Sequence, residues 1–240
     1  MKINTFKDPI QVHRAVAKEI IEAIQQRPNL VLGLSTGSTP LGTYAELVKD
    51  HQENGTDYGQ VITFNLDEYE GLDPNDPKSY RHFMNQHLFG HLNINQKNTH
   101  VPLGTGDIEK ECRDYEDRIK SAEGIDIQLL GIGINGHIGF NEPGTSFDTY
   151  THAAELSEDT ILANSKFFES PNQVPTRAIT MGIKSILQAK RIFLIALGLS
   201  KAQVIKGMVS GPVSESLPAS VLQNHADVTL FLNEEAASLL

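Results

Sequence analysis

Two short stretches contain the candidate catalytic residues: Asp67, His137 and Glu142, which could do acid–base chemistry, and Asn135, which lies two residues before His137. Asp67 directly follows the apolar run VITFNL, and the other three share the glycine-rich stretch GIGINGHIGFNEPG at 131–144. A carboxylate in a crevice can act as a general base, and a carboxylate beside an imidazole can orient the ring and raise its basicity. The pattern therefore indicates proton-transfer groups on two separate loops.

The stretch at 131–144 also permits a second interpretation. Its first six residues match G-x-G-x-x-G after an apolar run, which is the pattern of a dinucleotide-binding turn. That turn requires a helix that starts within the glycines, whereas Gly139, Pro143 and Gly144 disfavour a long helix here. We therefore interpret the glycines as a tight turn that lets a ligand approach the backbone.

The loop STGSTP at 35–40 is a candidate phosphate cradle, because it lies between a predicted strand and a predicted helix. With Thr39 as the helix cap and Pro40 as the first helical residue, the helix N-terminus would suit a phosphate. An ordinary capped turn explains the segment equally well. The candidate phosphate-binding residues of this loop are Thr36, Gly37, Ser38 and Thr39.

A serine hydrolase is a competing hypothesis for the same loop. GLSTG at 33–37 matches the nucleophile elbow G-x-S-x-G, and Asp67 and His137 follow Ser35 in the hydrolase order. However, a single predicted helix precedes this strand, whereas the hydrolase fold needs earlier strands. The elbow also leaves the neighbouring hydroxyls at 38 and 39 unexplained.

Two further clusters could suggest a metal ion, and neither has the pattern of a site. The acidic run LDEYEGLDPNDP at 66–77 lacks the spacing of an EF-hand and contains two prolines. His87 and His91 are four residues apart, but Gly90 lies between them and no nearby ligand completes a set. We interpret the two histidines as a helix end, and we expect no metal site.

Composition excludes several classes of function. The chain has 240 residues, 39% of them hydrophobic, and a formal net charge of -10, so we expect no general attraction to nucleic acid or to anionic membranes. The single cysteine, Cys112, permits no disulfide within the chain and has the spacing of a core thiol. The N-terminal residues lack the apolar segment of a signal peptide and no run is long enough to span a bilayer, so we expect a cytoplasmic protein.

Helix and strand patterns alternate along the whole chain. They predict helices at 8–28, 40–51, 78–89 and 107–124, and strands at 29–35, 61–66, 99–103, 125–133, 177–182, 191–198 and 226–232. Continuous apolar strands of this kind are typical of a parallel sheet covered on both faces. We predict an α/β fold: one domain over 1–240, with a single doubly wound, mostly parallel sheet and helices on both faces. Ligands of such sheets bind beyond the carboxyl ends of the strands, where the polar loops occur.

With these residues assembled, the chain resembles the glucosamine-6-phosphate deaminase family nearly from end to end. The resemblance is carried by LGLSTGSTPLGTY, FNLDEYEGL, GIGINGHIGFNEPG, ANSKFF and LGLSK. The related 6-phosphogluconolactonases, which are the alternative, typically have Asp-Glu-Arg at the first site and Gly-His-Thr at the second. This chain has Tyr69 and Ile138 at the distinguishing positions, which favours the deaminases.

The resemblance implies a reaction and a role for each candidate residue. Glucosamine 6-phosphate and water would give fructose 6-phosphate and ammonium. His137, oriented by Glu142, would open the sugar ring, and Asp67 would move the proton from C2 to C1. No metal or cofactor is expected, the partner would be a small sugar phosphate, and the protein would be a monomer or a small homo-oligomer.

The resemblance also implies a phosphate site and a lid, and it exposes two departures from the family. Lys201 matches the phosphate-binding lysine, and Lys166 stands where members often carry arginine, which has a bidentate fork that lysine lacks. Asn135 stands where many members have aspartate, so we expect it to position its neighbours without supplying charge. The polar segment of roughly 150–178 corresponds to a mobile active-site lid.

Overall fold

The computed structural model describes residues 1–165, 168, 170 and 173–240, and all of their side chains except those of 163 and 164. Its strands are β1 Lys2–Phe6, β2 Val31–Leu34, β3 Ile62–Asn65, β4 Asp67–Tyr69, β5 Thr99–His100, β6 Ile127–Leu130, β7 His152–Glu155, β8 Arg177–Thr180, β9 Arg191–Ala196 and β10 Val228–Asn233. Its α-helices are α1 Pro9–Gln26, α2 Leu41–Asn54, α3 Tyr80–His87, α4 Ile108–Ser121, α5 Glu158–Asn164, α6 Ile183–Leu187 and α7 Ala202–Ser210.

The central sheet has seven strands in the order β1-β10-β9-β6-β2-β3-β5, and every pairing in it is parallel. The predicted doubly wound sheet is therefore confirmed. From β2 the chain builds towards β3 and β5, whereas from β6 it builds towards β9 and β10. The strand order thus reverses between β2 and β6, and the loops that follow these two strands diverge into a crevice.

Apolar clusters cover both faces of this sheet, as predicted. One face packs the buried side chains of α4 and α7, including Tyr115 and Ile205, against the sheet. The other face packs α1 and α2 through Ile20 and Tyr44, with Met84 of α3 beside them. Because helices shield both faces, the strands can be apolar at every position.

A second sheet of three antiparallel strands, β4-β8-β7, was not predicted. Asp67 is the first residue of β4 and pairs with Thr180 of β8, which in turn pairs with His152 of β7. The chain leaves the central sheet at Leu66, whose carbonyl accepts a hydrogen bond from the Met181 N–H at 2.7 Å. This small sheet is an addition to the predicted central sheet: β8 lies within a predicted strand, whereas β4 and β7, with three and four residues, carry too little alternation to be recognised.

The start of α1 confirms its prediction, whereas the start of α2 does not. Asp8 caps α1 by accepting a hydrogen bond from the Gln11 N–H, and Pro9 is the first helical residue. Helix α2 begins at Leu41, and Pro40 occupies the cap position with φ of -81° and ψ of -11° and no side-chain cap. The prediction of Thr39 as the cap was wrong, because 38–40 form a separate turn that carries Thr39 into the crevice.

Two smaller expectations concern Cys112 and the membrane. The Cys112 thiol is buried, and burial raises its pKa to about 11, as suits a core side chain. Among the described residues, no helix is both long and apolar enough to cross a bilayer.

Candidate active site

A pocket of about 240 Å³ lies at the point where the strand order reverses. Its walls come from the loops after β2 and β6, the start of β4 and the first turn of α5. Of the predicted site residues, Thr36, Gly37, Ser38, Thr39, Asp67, Asn135, His137 and Lys201 line it. Glu142 lies behind this lining, in contact with Asn135 and His137, and Lys166 is outside the described residues.

Asp67 is the most deeply buried acid of the pocket lining, with 6% of its surface exposed. Burial raises its pKa to about 8, and the neighbouring charge of Glu68 adds to the increase. The described residues provide no hydrogen-bond donor to this carboxylate. Asp67 is therefore poised both to take up and to release a proton near neutral pH.

Glu68 occupies a different environment, although it is the next residue. Its carboxylate accepts hydrogen bonds from the backbone N–H groups of Tyr69, Tyr80 and Arg81, at 2.9, 2.9 and 3.0 Å. Burial raises the pKa of Glu68 to about 7, while these three donors oppose the rise. Glu68 thus fixes the start of α3 against β4, which holds the neighbouring Asp67 in place.

Two glycines shape the turn that presents His137. A β-carbon on Gly133 would lie 2.3 Å from the His137 ring, so only glycine lets the imidazole pack against the backbone there. Gly139 has a φ of +58°, and a β-carbon on it would lie 2.8 Å from Thr180 Oγ1 and 3.8 Å from Asp67 Oδ2. The close contact at Gly139 shows that the Asp67 carboxylate lies beside the turn that carries His137.

The amide of Asn135 joins the two ends of this turn. Its Nδ2 donates to Glu142 Oε2 at 2.7 Å, and its Oδ1 accepts from the His137 N–H at 3.2 Å. His137 Nδ1 lies 3.6 Å from the same Glu142 oxygen, which is an ion-pair distance too long for a direct hydrogen bond. Asn135 is therefore hydrogen-bonded to both residues, and Glu142 is the charged neighbour of His137.

The other oxygen of Glu142 is held by α5. Thr160 Oγ1 donates to Glu142 Oε1 at 2.5 Å, and Ser157 Oγ lies 3.0 Å from the same oxygen. Although burial opposes it, contact with His137 and hydrogen bonds from Thr160 and Asn135 lower the pKa of Glu142 to about 2. Glu142 is thus a fixed negative charge over the whole physiological range.

The candidate phosphate cradle meets the histidine turn across the crevice. Gly37 has a φ of +82°, and Thr39 lies 3.8 Å from a β-carbon placed on Gly131. Lys201 Nζ donates to the Ile132 carbonyl at 2.7 Å, from a 3₁₀ turn that precedes α7. The hydroxyls at 36, 38 and 39 and one ammonium group therefore line one end of the pocket.

Ser35 lacks the contacts of a hydrolase nucleophile. Its side chain lines the pocket, and its carbonyl accepts a hydrogen bond from the Tyr44 hydroxyl at 2.5 Å. Within the described part of the chain, no hydrogen bond joins Ser35 to His137 or Asp67. Ser35 therefore does not form a catalytic triad with these two residues in this structure.

Three residues of the pocket lining were not named as site residues from the sequence: Tyr80, and Asp159 and Thr160 of the predicted lid segment. The Tyr80 ring stacks on Phe140 with centroids 6.3 Å apart and lies against the Tyr69 ring with centroids 4.8 Å apart. Burial raises the pKa of this phenol well above its usual value, so it stays a neutral donor. A lone tyrosine in a helix and two polar residues in ELSEDT gave no pattern that could have revealed them.

Histidine, cysteine and acidic side chains do not form a group of three or more with metal-site geometry anywhere in the described ranges. This applies to the two histidines 87 and 91 and to the acidic run at 66–77 alike.

Residues 9–231 match the family of glucosamine-6-phosphate isomerases and 6-phosphogluconolactonase. The chain belongs to this family. The glucosamine-6-phosphate deaminase of Clostridium novyi is 51% identical over 241 aligned residues, which cover 100% of both chains. The glucosamine-6-phosphate deaminase of Thermoanaerobacter pseudethanolicus is 50% identical. The alignment covers 100% of this chain and 95% of that protein.

Solved structures of both branches of the glucosamine-6-phosphate isomerase and 6-phosphogluconolactonase family share this fold. A monomeric glucosamine-6-phosphate deaminase superposes with a TM-score of 0.98 at 45% identity, covering 100% of each chain. A 6-phosphogluconolactonase from Trypanosoma brucei superposes with a TM-score of 0.82 at 20% identity, covering 100% of this chain and 98% of its own. Since the fold serves two chemistries, the pocket side chains must decide between them.

Proposed function

We propose that the chain converts glucosamine 6-phosphate and water to fructose 6-phosphate and ammonium. The observation that carries the proposal is the meeting of two separate proton-transfer groups in one pocket. Asp67 comes from the start of β4, and His137 with Glu142 comes from the turn after β6. An aldose–ketose isomerisation needs one group at the ring oxygen and another at C2. The deaminase relatives, about half identical over the whole chain, support the same reaction.

The substrate phosphate binds at the end of the pocket formed by the loop after β2. The N-terminus of α2 supplies backbone N–H groups there, and the neighbouring side chains supply hydroxyls and one ammonium group. We assign this role to Thr36, Gly37, Ser38, Thr39 and Lys201, with Lys166 added from the proposed lid. This placement orients C1 and C2 of the sugar towards the two proton-transfer groups.

His137 opens the ring in the proposed mechanism. It moves a proton from the anomeric hydroxyl to the ring oxygen, so the C1–O5 bond breaks and a C1 aldehyde forms. The developing imidazolium is stabilised by Glu142, whose charge is fixed by its low pKa. Asn135 keeps the two side chains in register through its hydrogen bonds to both.

Asp67 then carries out the isomerisation. Its carboxylate removes the C2 hydrogen, which the aldehyde has acidified, and returns a proton to C1. The resulting C2 imine is attacked by water, the C–N bond breaks, and ammonia leaves as ammonium. A carboxyl group with a pKa of about 8 can serve in both directions of this transfer near neutral pH.

Four further features complete the proposal. We infer that 1–240 act as one catalytic domain and that the segment 150–178, part of which lies outside the described residues, closes over the pocket. Thr160 of this segment already lines the pocket. The protein is proposed to be a cytoplasmic monomer, supported by the monomeric relative. The proposed steps are proton transfers and hydration, so we expect activity to survive exhaustive treatment with EDTA.

The proposal is tested by measuring ammonium release from glucosamine 6-phosphate. Parallel assays use 6-phosphogluconolactone and p-nitrophenyl acetate as substrates of the two alternative chemistries. We expect stoichiometric ammonium and fructose 6-phosphate, and no enzyme-dependent hydrolysis of the other two compounds. Lactone hydrolysis without ammonium release would overturn the proposal in favour of the other branch of the family. Loss of activity on phosphonylation of Ser35 would instead support the hydrolase.

A further inference from the structure

Two hydroxyl groups hold the carboxylate that neighbours His137, and they come from a different part of the chain. Thr160 Oγ1 and Ser157 Oγ lie 2.5 and 3.0 Å from Glu142 Oε1, whereas Asn135 and His137 approach Oε2. Both oxygens of the Glu142 carboxylate therefore have polar neighbours. We propose that Thr160 is a positioning residue for ring opening, because its hydroxyl fixes the carboxylate that orients His137. This inference rests on the function proposed above.

The hydrogen-bond inventory separates the roles of the two hydroxyls. A hydroxyl has one proton to donate. The Ser157 oxygen accepts a hydrogen bond from the Thr160 N–H at 3.2 Å and thereby caps α5. The Ser157 hydroxyl proton is shared between Glu142 Oε1 and the Thr160 oxygen, each 3.0 Å away. The Thr160 proton has the shorter contact and goes to the carboxylate. Thr160 is thus the firmer donor to Glu142, and Ser157 supports the helix that presents it.

Burial prevents water from replacing the hydrogen bond between Thr160 and Glu142. Thr160 has 3% of its surface exposed, so its hydroxyl cannot turn to water instead. The Glu142 side chain has 14% of its surface exposed, so water cannot fully replace a lost donor. Without the Thr160 proton, Oε1 has only the divided donor Ser157, and the carboxylate can rotate away from Asn135 and His137.

The charged groups around Glu142 fix the sign of the expected change. His137 faces it from the same turn, Asp159 adjoins Thr160 on α5, and Asp67 and Lys201 line the same pocket. His137, Thr160 and Asn135 lower the pKa of Glu142 to about 2 against the effect of burial. Removing the Thr160 donor takes away one of the contacts that lower this pKa, so the pKa of Glu142 must rise towards its usual value.

The test uses Thr160→Val, which keeps the branched shape and removes the hydroxyl, and Thr160→Ser, which restores it. Thr105→Val, at an exposed loop position, is the matched control. We expect Thr160→Val to lower kcat on glucosamine 6-phosphate by about tenfold with little change in KM. Turnover of an analogue that has hydrogen in place of both the 4- and the 5-hydroxyl, and so can form neither a furanose nor a pyranose, should stay within a factor of two. Thr160→Ser should recover most of the loss.

A second measurement does not depend on activity. The ¹³C signal of the Glu142 carboxyl group is followed by NMR in ligand-free protein as the pH falls from 6 to 3. The original protein should show almost no titration of this group above pH 3, because its pKa is about 2. Thr160→Val should begin to titrate within the range, and Thr160→Ser and Thr105→Val should not. An altered ¹⁵N signal of the His137 ring in Thr160→Val alone is also expected.

The outcomes distinguish this inference from the proposed function. If the original protein releases no ammonium, the function fails while the carboxyl titration still tests the contact. If ammonium is released but Thr160→Val matches the original protein in kcat and in the Glu142 titration, the inference is overturned. Equal losses on the cyclic substrate and on the ring-deficient analogue would also overturn it, because they would show a general disturbance of the pocket wall.

Discussion

Asp67 and Glu142 are two carboxylates around one pocket, and their environments drive their pKa values in opposite directions. Asp67 is buried at the start of a short strand, where the described residues supply no hydrogen-bond donor, and its pKa rises to about 8. Glu142 is less buried and receives Thr160 and Asn135 as donors beside His137, and its pKa falls to about 2. Deep burial without a donor leaves Asp67 able to exchange protons, whereas shallower burial, two donors and the contact with His137 keep Glu142 charged.

The largest expected effect comes from removing the exchangeable proton of the first carboxylate. Asp67→Asn keeps the shape of the side chain and abolishes the base, so turnover of glucosamine 6-phosphate should fall by at least ~10²-fold. In reactions run in D₂O, the fructose 6-phosphate made by the original protein should carry deuterium at C1. The small amount of product formed by Asp67→Asn should not. Asp73→Asn, at an exposed position of the neighbouring acidic loop, is the control and should leave turnover unchanged. Near-normal turnover in Asp67→Asn would remove the proposed C2 base.

The second effect tests whether the histidine turn serves ring opening alone. His137→Gln should slow the cyclic substrate by about 10²-fold, because no other side chain then moves the proton to the ring oxygen. The analogue without the 4- and 5-hydroxyls should lose less than threefold, since it cannot close a ring and enters at the C2 step. His91→Gln, on the exposed end that follows α3, should behave like the original protein on both compounds. Parallel losses on the two compounds would show that His137 also acts at C2.

The two regions also differ in how far the sequence predicted them. Asp67 and His137 could be found because each follows an apolar strand, and the parallel sheet then brings the carboxyl ends of those strands together. The central sheet was predictable for the same reason, since its strands are continuous apolar runs. The link between Glu142 and Thr160 could not be found, because it joins positions 18 residues apart through one hydroxyl.

The second sheet and the turn before α2 were missed for related physical reasons. Strand β4 has three residues, so alternation cannot identify it, and only its pairing with β8 shows that Asp67 begins a strand. Thr39 has the residue type of a helix cap, but the turn at 38–40 places it in the pocket instead. In both cases tertiary contacts outweighed a correct local preference.

A third prediction extends the comparison from activity to stability. The pKa of Asp67 is raised from 3.8 to about 8, so the folded protein keeps a proton that the unfolded chain releases. The contribution of Asp67 to the free energy of unfolding should therefore fall as the pH rises from about 4 to about 8. Asp67→Asn lacks this loss and should be more stable than the original protein at pH 8 by at least about 1 kcal/mol. Near pH 4 the two should be nearly equal.

Urea unfolding at pH 4, 6 and 8 measures this difference. Asp73→Asn should show no such divergence, because that carboxylate is exposed. The opposite result would be a variant whose stability, compared with that of the original protein, decreases from pH 4 to pH 8. It would show that the Asp67 carboxylate has stabilising partners in the fold.

The smallest expected effect has the opposite sign and belongs to Glu142. Its pKa is lowered from 4.5 to about 2, so its charge stabilises the fold above about pH 4.5, and this contribution is lost as the pH falls towards 2. Glu142→Gln keeps the shape but offers a neutral oxygen to one side and an amide to the other, so one of the donors Thr160 and Asn135 meets an N–H group. We expect a loss of about 1 kcal/mol at pH 7, reduced by partial solvent screening, and a smaller loss at pH 3. Urea unfolding at the two pH values measures it, with Glu155→Gln at an exposed position of β7 as the control. If Glu142→Gln is as stable as the original protein at pH 7, the hydrogen bonds from Thr160 and Asn135 to Glu142 give no net stabilisation of the fold. The difference between the two carboxylates would then affect catalysis but not stability.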